Sequence, residues 1–137
     1  MAVNTLLYVI ARNAALDAGG ITALLASGKI QIRSGVQPAA DAALTGVLLS
    51  TLTFGAAALG ASASGTATAN AITSDPSAVA TGTAGYVALL KSDNATVVLT
   101  GSVGTSAANL ILSTLSIAAG NVVSCSALTL GIPAQGA

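Results

Sequence analysis

Apolar residues recur along this chain with two different periods, and the change of period divides it into two parts. Over residues 5–26, TLLYVIARNAALDAGGITALLA, apolar side chains return at helical spacing, at Leu6, Val9, Ile10, Leu16, Ile21, Leu24 and Leu25. Asn4 or Thr5 is suited to cap the start and Gly28 to close the end. The spacing therefore predicts an N-terminal helix, weakened or split at Gly19-Gly20, where each glycine costs about 1 kcal/mol relative to alanine. After Gly28 the period becomes two. KIQIRS places Ile30 and Ile32 on one face and Lys29, Gln31 and Arg33 on the other, as in a half-exposed strand suited to a sheet edge.

Residues 35–38 read as a turn, and residues 38–44 as a polar or briefly helical connection holding Asp41. Short alternating runs then follow at regular intervals: VLLSTLTF, TATANAI, LILSTLSI and VVSCSALTLGI. GASASG, SDPSAVATG, GTSAAN and AAGN separate them with turn chemistry. Between the second and third runs, residues 83–90 and 95–103 flank Ser92-Asp93-Asn94, whose short polar side chains bond back to their own main chain and tolerate left-handed angles. That pattern is a β-hairpin. The expected fold is mainly β: a helical arm over residues 1–27, then an antiparallel β-sandwich or barrel of about seven or eight short strands over residues 28–137. At 137 residues the chain reads as a single domain, able to bury about two-thirds of its unfolded surface in one core.

Charge changes the picture more than any motif does. Charged residues are 6% of the chain, four cations against four aspartates with no histidine, where about 25% is usual. Four scattered cations make no basic stripe, so nucleic acid is not an expected partner. A diffusing monomer without net charge has little repulsion to keep its copies apart, and faces rich in Ala, Ser, Thr and Gly suit flat packing. An assembly component is the expectation that follows. Mean hydropathy is +0.85, and residues 42–74 carry no charge, yet GVLLSTLTFGAAALGASA is interrupted by Gly55 and Gly60 and has no flanking cationic cluster. It reads as buried strand plus loop rather than a membrane span. The first cation, Arg12, follows the apolar run LLYVIA instead of preceding it, which does not fit a secretory leader.

Candidate chemistry is sparse. Without histidine there is no serine or cysteine triad of the usual form and no common metal ligand. Cys125, in an alternating run, reads as a buried structural thiol. Asp17, Asp41, Asp75 and Asp93 are spread over the predicted helix, a connection and two turns. Asp75 before Pro76 reads as an Asx-type turn, since a calcium site needs six or more oxygens and usually several carboxylates. GSVGTS lacks the lysine and helix start of a phosphate loop and reads as a turn between strands. Tyr8, Phe54 and Tyr86 are too few for a sugar- or base-stacking platform, and Tyr86 reads as a core-edge residue. No enzymatic activity, cofactor, metal or small-molecule substrate is expected.

The text ARNAALDAGGITALLASGKIQIRSGVQPAADAAL resembles small proteins encoded in the structural gene modules of tailed bacteriophages, where an ARNAALDAI-like helix leads into an I-x-I-x-x-G-x-Q-P strand and turn. The resemblance continues through LLSTLTFGAAALG, GTATANAITSD, ATGTAGYVALLKSDN and VLTGSVGTSAANLILSTLSIAAGNVVSCSALTL. Those proteins tend to carry Asp-Gly where Asp93-Asn94 stands and an unbroken helix where Gly19-Gly20 stands. The resemblance implies a virion structural protein assembled in the host cytoplasm, most similar to head decoration or cement proteins, with itself and the major capsid protein as partners. A tail or neck component is the alternative it leaves, and a receptor- or glycan-binding β-module the third. The expected assembly contact is Leu6, Leu7, Tyr8, Val9 and Ile10, an apolar run covering more than one helical face, with Arg12 at its rim.

Overall fold

The computed structural model describes residues 6–7, 23–39, 41–60, 66–106 and 108–131. Twelve short strands run through them: β1 (Leu6–Leu7), β2 (Lys29–Arg33), β3 (Leu48–Phe54), β4 (Thr66–Thr68), β5 (Ile72–Thr73), β6 (Gly82–Thr83), β7 (Tyr86–Leu90), β8 (Val97–Gly101), β9 (Val103–Gly104), β10 (Leu110–Leu112), β11 (Ser116–Ile117) and β12 (Cys125–Gly131). They form a six-stranded sheet in the order β1-β8-β7-β2-β3-β5, a four-stranded sheet β4-β12-β10-β9 and a two-stranded sheet β11-β6. The expectation of a mainly β chain is met.

The N-terminal helix is corrected where the chain is described, at the two ends of that segment; residues 8–22, which hold the rest of the prediction, lie outside the described residues. Leu6 and Leu7 lie in a strand opposite Thr100 and Leu99, and the helical residues among those described are Ala23 and Leu24. The physical reason is that two adjacent leucines have no period of their own: an apolar run this short fits the edge of a sheet as well as it fits a helix, and the pairing with β8 decides. Ser27 takes the left-handed conformation, with φ of 54°, before the chain enters β2. Gly28 donates to the Leu25 carbonyl at 2.7 Å, and any Cβ there would collide with the Leu90 carbonyl oxygen.

β2 is not an edge strand. It lies between β3 and β7, with Ile30 facing Leu52 and Leu89, and Ile32 facing Ser50 and Val87. Its polar alternation is genuine, but Gln31 is only 5% exposed because other polar residues cover it. The predicted hairpin is present: β7 and β8 pair antiparallel, closed by Lys91 N–H to Thr96 O and Asn94 N–H to Lys91 O, both at 3.0 Å. Asn94 carries the left-handed φ, 56°.

Two predicted strands are each divided between sheets. TATANAI supplies β4 to the four-stranded sheet and β5 to the six-stranded one. LILSTLSI supplies β10 and β11 to different sheets. GSVGTS is not a turn: Gly101 ends β8, Ser102 crosses, and Val103–Gly104 continues as β9 in the second sheet. β9 pairs parallel with β10, with only residues 105–109 between them. Parallel neighbours usually need a crossover of a dozen or more residues. One core cluster draws on all three sheets, including Ile30, Leu52, Leu89, Leu99, Leu110, Leu128 and Ile117. Full burial of each such side chain contributes about 1.5–3 kcal/mol.

Candidate functional site

Polar side chains gather at three places, and each follows from a local need of the backbone. The first is Asp75. Past β5, residues 75–79 run beside the part of β3 that β5 does not reach, and Val79 N–H donates to the Leu49 carbonyl at 2.9 Å. Asp75 completes that edge. Its Oδ2 accepts Ser50 Oγ at 2.7 Å and Thr51 N–H at 3.0 Å, while Oδ1 accepts Ser77 N–H at 3.0 Å in the expected Asx-type turn. Asp75 and Val123 also exchange main-chain bonds, each at 2.9 Å. Burial pushes the Asp75 carboxyl up, but the Ser77 and Thr51 amides and the Ser50 hydroxyl outweigh it, so its pKa lies below the usual carboxylate value. It is held ionised as an acceptor, not poised to carry a proton.

The second place is the crossing between β8 and β9. Asn109 is fully buried. Its Oδ1 accepts Ser102 N–H at 3.0 Å and Ser102 Oγ at 3.1 Å, and its Nδ2 donates to the Thr129 carbonyl at 2.9 Å. Its own N–H donates to Ser102 Oγ at 3.0 Å, while Thr129 N–H donates to its carbonyl at 2.8 Å. One amide thereby fastens the crossing to β12 and holds the short parallel connection. Gly101 makes room for it, since a Cβ there would lie 2.9 Å from Asn109 Oδ1 and 3.1 Å from its Cβ.

The third is the face of the six-stranded sheet turned away from the main core. Tyr86, Ala88 and Leu90 form a small buried cluster there with Leu44 and Val97 against it. The Tyr86 hydroxyl donates to the Thr45 carbonyl at 2.6 Å and accepts Thr45 N–H at 2.9 Å, pinning residues 34–47 over the sheet. Gln37 Nε2 donates to Thr100 Oγ1 at 3.0 Å. Arg33 Nε donates to Gln31 Oε1, and Gln31 Nε2 to Asn94 Oδ1, both at 3.0 Å. Tyr86 is thus a fully buried anchor rather than a core-edge residue.

Asp93 serves the hairpin. Amide bonds from Thr96 and the Thr96 hydroxyl, with the Ala95 amide, hold its carboxyl down at about 2. Asp41 lies in the exposed connection with φ of 67°, and Asp17 falls outside the described residues. The described acids and Cys125 form no group of three or more metal-ligating side chains. Burial pushes the Cys125 thiol up, away from thiolate chemistry, and the residue is half-buried against the core. Among the described residues no buried side-chain nitrogen or oxygen lacks a partner, so these groups are spent on the fold itself. A pocket of about 120 Å³ lined by Leu112, Thr114, Ile117, Asn121, Val122 and Ser124 is well below the ~300–1,000 Å³ of sites that enclose organic ligands. No helix among the described residues is long and apolar enough to cross a membrane.

Of the predicted contact residues, Leu6 and Leu7 stand at the β8 edge. Tyr8, Val9, Ile10 and Arg12 lie outside the described residues. Sequence reading passed over Asn109, Ser102 and Gln37, and placed Gln31 on an exposed face where the structure buries it. An asparagine at the end of GTSAAN carries the same signal whether it turns the chain or locks two sheets together. No family model, curated protein or solved structure matches the chain.

Proposed function

We propose that this chain is a non-enzymatic structural protein of a tailed-phage virion, which decorates the head shell and stabilises it through contacts with its own copies and the major capsid protein. The observation that carries the reading is the distribution of charge: residues 94–131 contain no Asp, Glu, Lys or Arg. Val36, Val47, Val79 and Val122 meanwhile stand exposed, from 56% to 84%. A surface of that kind is costly to leave in water and well suited to flat contact with neighbours. The use of Asp75, Asp93, Asn109 and Tyr86 to fasten backbone supports a structural role over a chemical one. The sandwich reading belongs here too, because the shared core fits two larger sheets packed face to face.

Quantitative mass spectrometry of purified virions tests the proposal. Copies on the order of hundreds, in a fixed ratio to the major capsid protein, are expected for a symmetric shell. About a dozen copies or fewer would move the protein to the neck or tail, and absence from particles would remove it from the virion.

A further inference from the structure

Cations are few in this chain, and the fold brings the described ones together. β2 turns Ile30 and Ile32 into the main core, so Lys29 and Arg33 stand on the opposite face with Gln31 between them. Thr53 of β3 and Leu90 of β7 flank Lys29, and Tyr86 flanks Arg33. Lys91 comes one residue past the Leu90 that faces Lys29. The fourth cation, Arg12, lies outside the described residues.

Lys29 and Arg33 are both half-buried, and the bonds of their head groups go to neutral oxygens. Lys29 Nζ donates to Thr53 Oγ1 at 3.3 Å. Arg33 Nε donates to Gln31 Oε1 at 3.0 Å and Nη1 to the Gly46 carbonyl at 3.5 Å, while Gln31 is itself held by Asn94. The guanidinium is therefore fixed in place by contacts that do not balance its charge. Lys91 differs, because it lies within electrostatic reach of Asp93. A guanidinium has five N–H donors, so two bonds leave donors for a carboxylate, the group its planar fork fits best.

We propose that the Lys29–Arg33 strip of β2 is the docking surface for an acidic segment of a different protein, whose carboxylates pair with the Lys29 ammonium and the Arg33 guanidinium. Charge complementarity selects that occupant. A second copy of this chain is a poor source of carboxylates: Asp75 and Asp93 each accept several bonds from their own chain, and Asp41 is not free either. Nucleic acid would need a longer run of cations, or exposed rings on which bases stack, and Tyr86 on this face is fully buried. Four residues of strand set Lys29 and Arg33 about 13 Å apart, so one carboxylate cannot serve both and the segment must carry more than one acidic side chain. This docking surface rests on the assembly reading above and is where the chain meets the shell protein rather than another copy.

Carbodiimide treatment of purified virions tests it, since the reagent joins an amine to a carboxyl only where the two touch. Peptides linking Lys29 to Asp or Glu of another virion protein are expected. Links from Lys29 confined to this chain's own aspartates would overturn the assignment, and so would Lys29 reacting with an acetylating reagent as fast in virions as in the isolated chain. Lys29→Gln with Arg33→Gln should weaken rebinding of the isolated chain to particles stripped of it by about tenfold or more. Its melting temperature and its mass by light scattering should stay as in the parent, and rebinding as tight as the parent's overturns the assignment. If the double variant melts early, the cross-link decides alone. Retention of the parent on duplex DNA, lost in that variant, would give the face to nucleic acid and overturn it too. A chain present in virions without a Lys29 contact refutes this surface and leaves the assembly reading standing, whereas absence from virions refutes both.

Discussion

Asn109 shows how far one side chain can hold a fold in which charge is almost absent. It is buried and fastens both sides of the β8–β9 crossing to β12. Asn109→Ala removes the buried bonds that this side chain makes to Ser102 N–H and to the Thr129 carbonyl, and should destabilise by about 2–4 kcal/mol in urea unfolding. The carboxylates set the acid limit. Asp75 and Asp93 both titrate below the usual carboxylate value, Asp93 at about 2. Their stabilising contribution is complete above the unfolded value of about 4 and is lost as pH falls through the folded one. The urea midpoint should therefore drop between about pH 4 and pH 2, and Asp75→Asn should flatten that drop. At Cys125 the raised pKa and partial burial predict slow reaction with a disulfide reagent at neutral pH and fast reaction once denatured. Of these residues, Asp93 and Asp75 were legible as turn formers, because an Asx turn is a matter of two or three neighbouring positions. Asn109 was not, because its partners lie 7 and 20 positions away.

At the scale of elements, the hairpin and the core faces of β2 and β3 follow from alternation alone, since period two decides which side chains share a face. Alternation says nothing about which strand lies alongside. β2 has the pattern of an edge strand and occupies the interior of its sheet, because residues 34–47, pinned by Tyr86 to Thr45, and the 91–96 turn supply the cover that water would have given. The edge of β3 is closed differently, by the Asp75 carboxylate and the Val79 amide. Removing that cover with Asp75→Ala exposes the Thr51 amide and a strand edge. It should lower stability by about 2–3 kcal/mol and raise turbidity on mild heating, because an open edge recruits other chains. A variant as stable and as soluble as the parent would refute this role for Asp75.

At the scale of the whole molecule, scarce charge and exposed valines predict self-association: light scattering at rising concentration should give a mass above that of one chain. Isolated chains that stay monomeric and fail to bind phage heads would refute the assembly reading. Local pattern was sufficient for the mainly β class, the hairpin, the apolar faces of the strands and the turn roles of Asp75 and Asp93, because alternation and Asx chemistry are short-range. It also ruled out a histidine-based site, because composition alone decides that. Only the tertiary structure decided that LLYVI begins in a strand, that TATANAI and LILSTLSI each divide between sheets, and that β9 and β10 run parallel. Each of these depends on partners distant in sequence: Leu6 needs Thr100, and the crossing at Ser102 needs Asn109 and, through it, Thr129. The same alternating text fits any sheet that offers it a free edge, and the choice among edges is made by packing and hydrogen bonding across the whole chain.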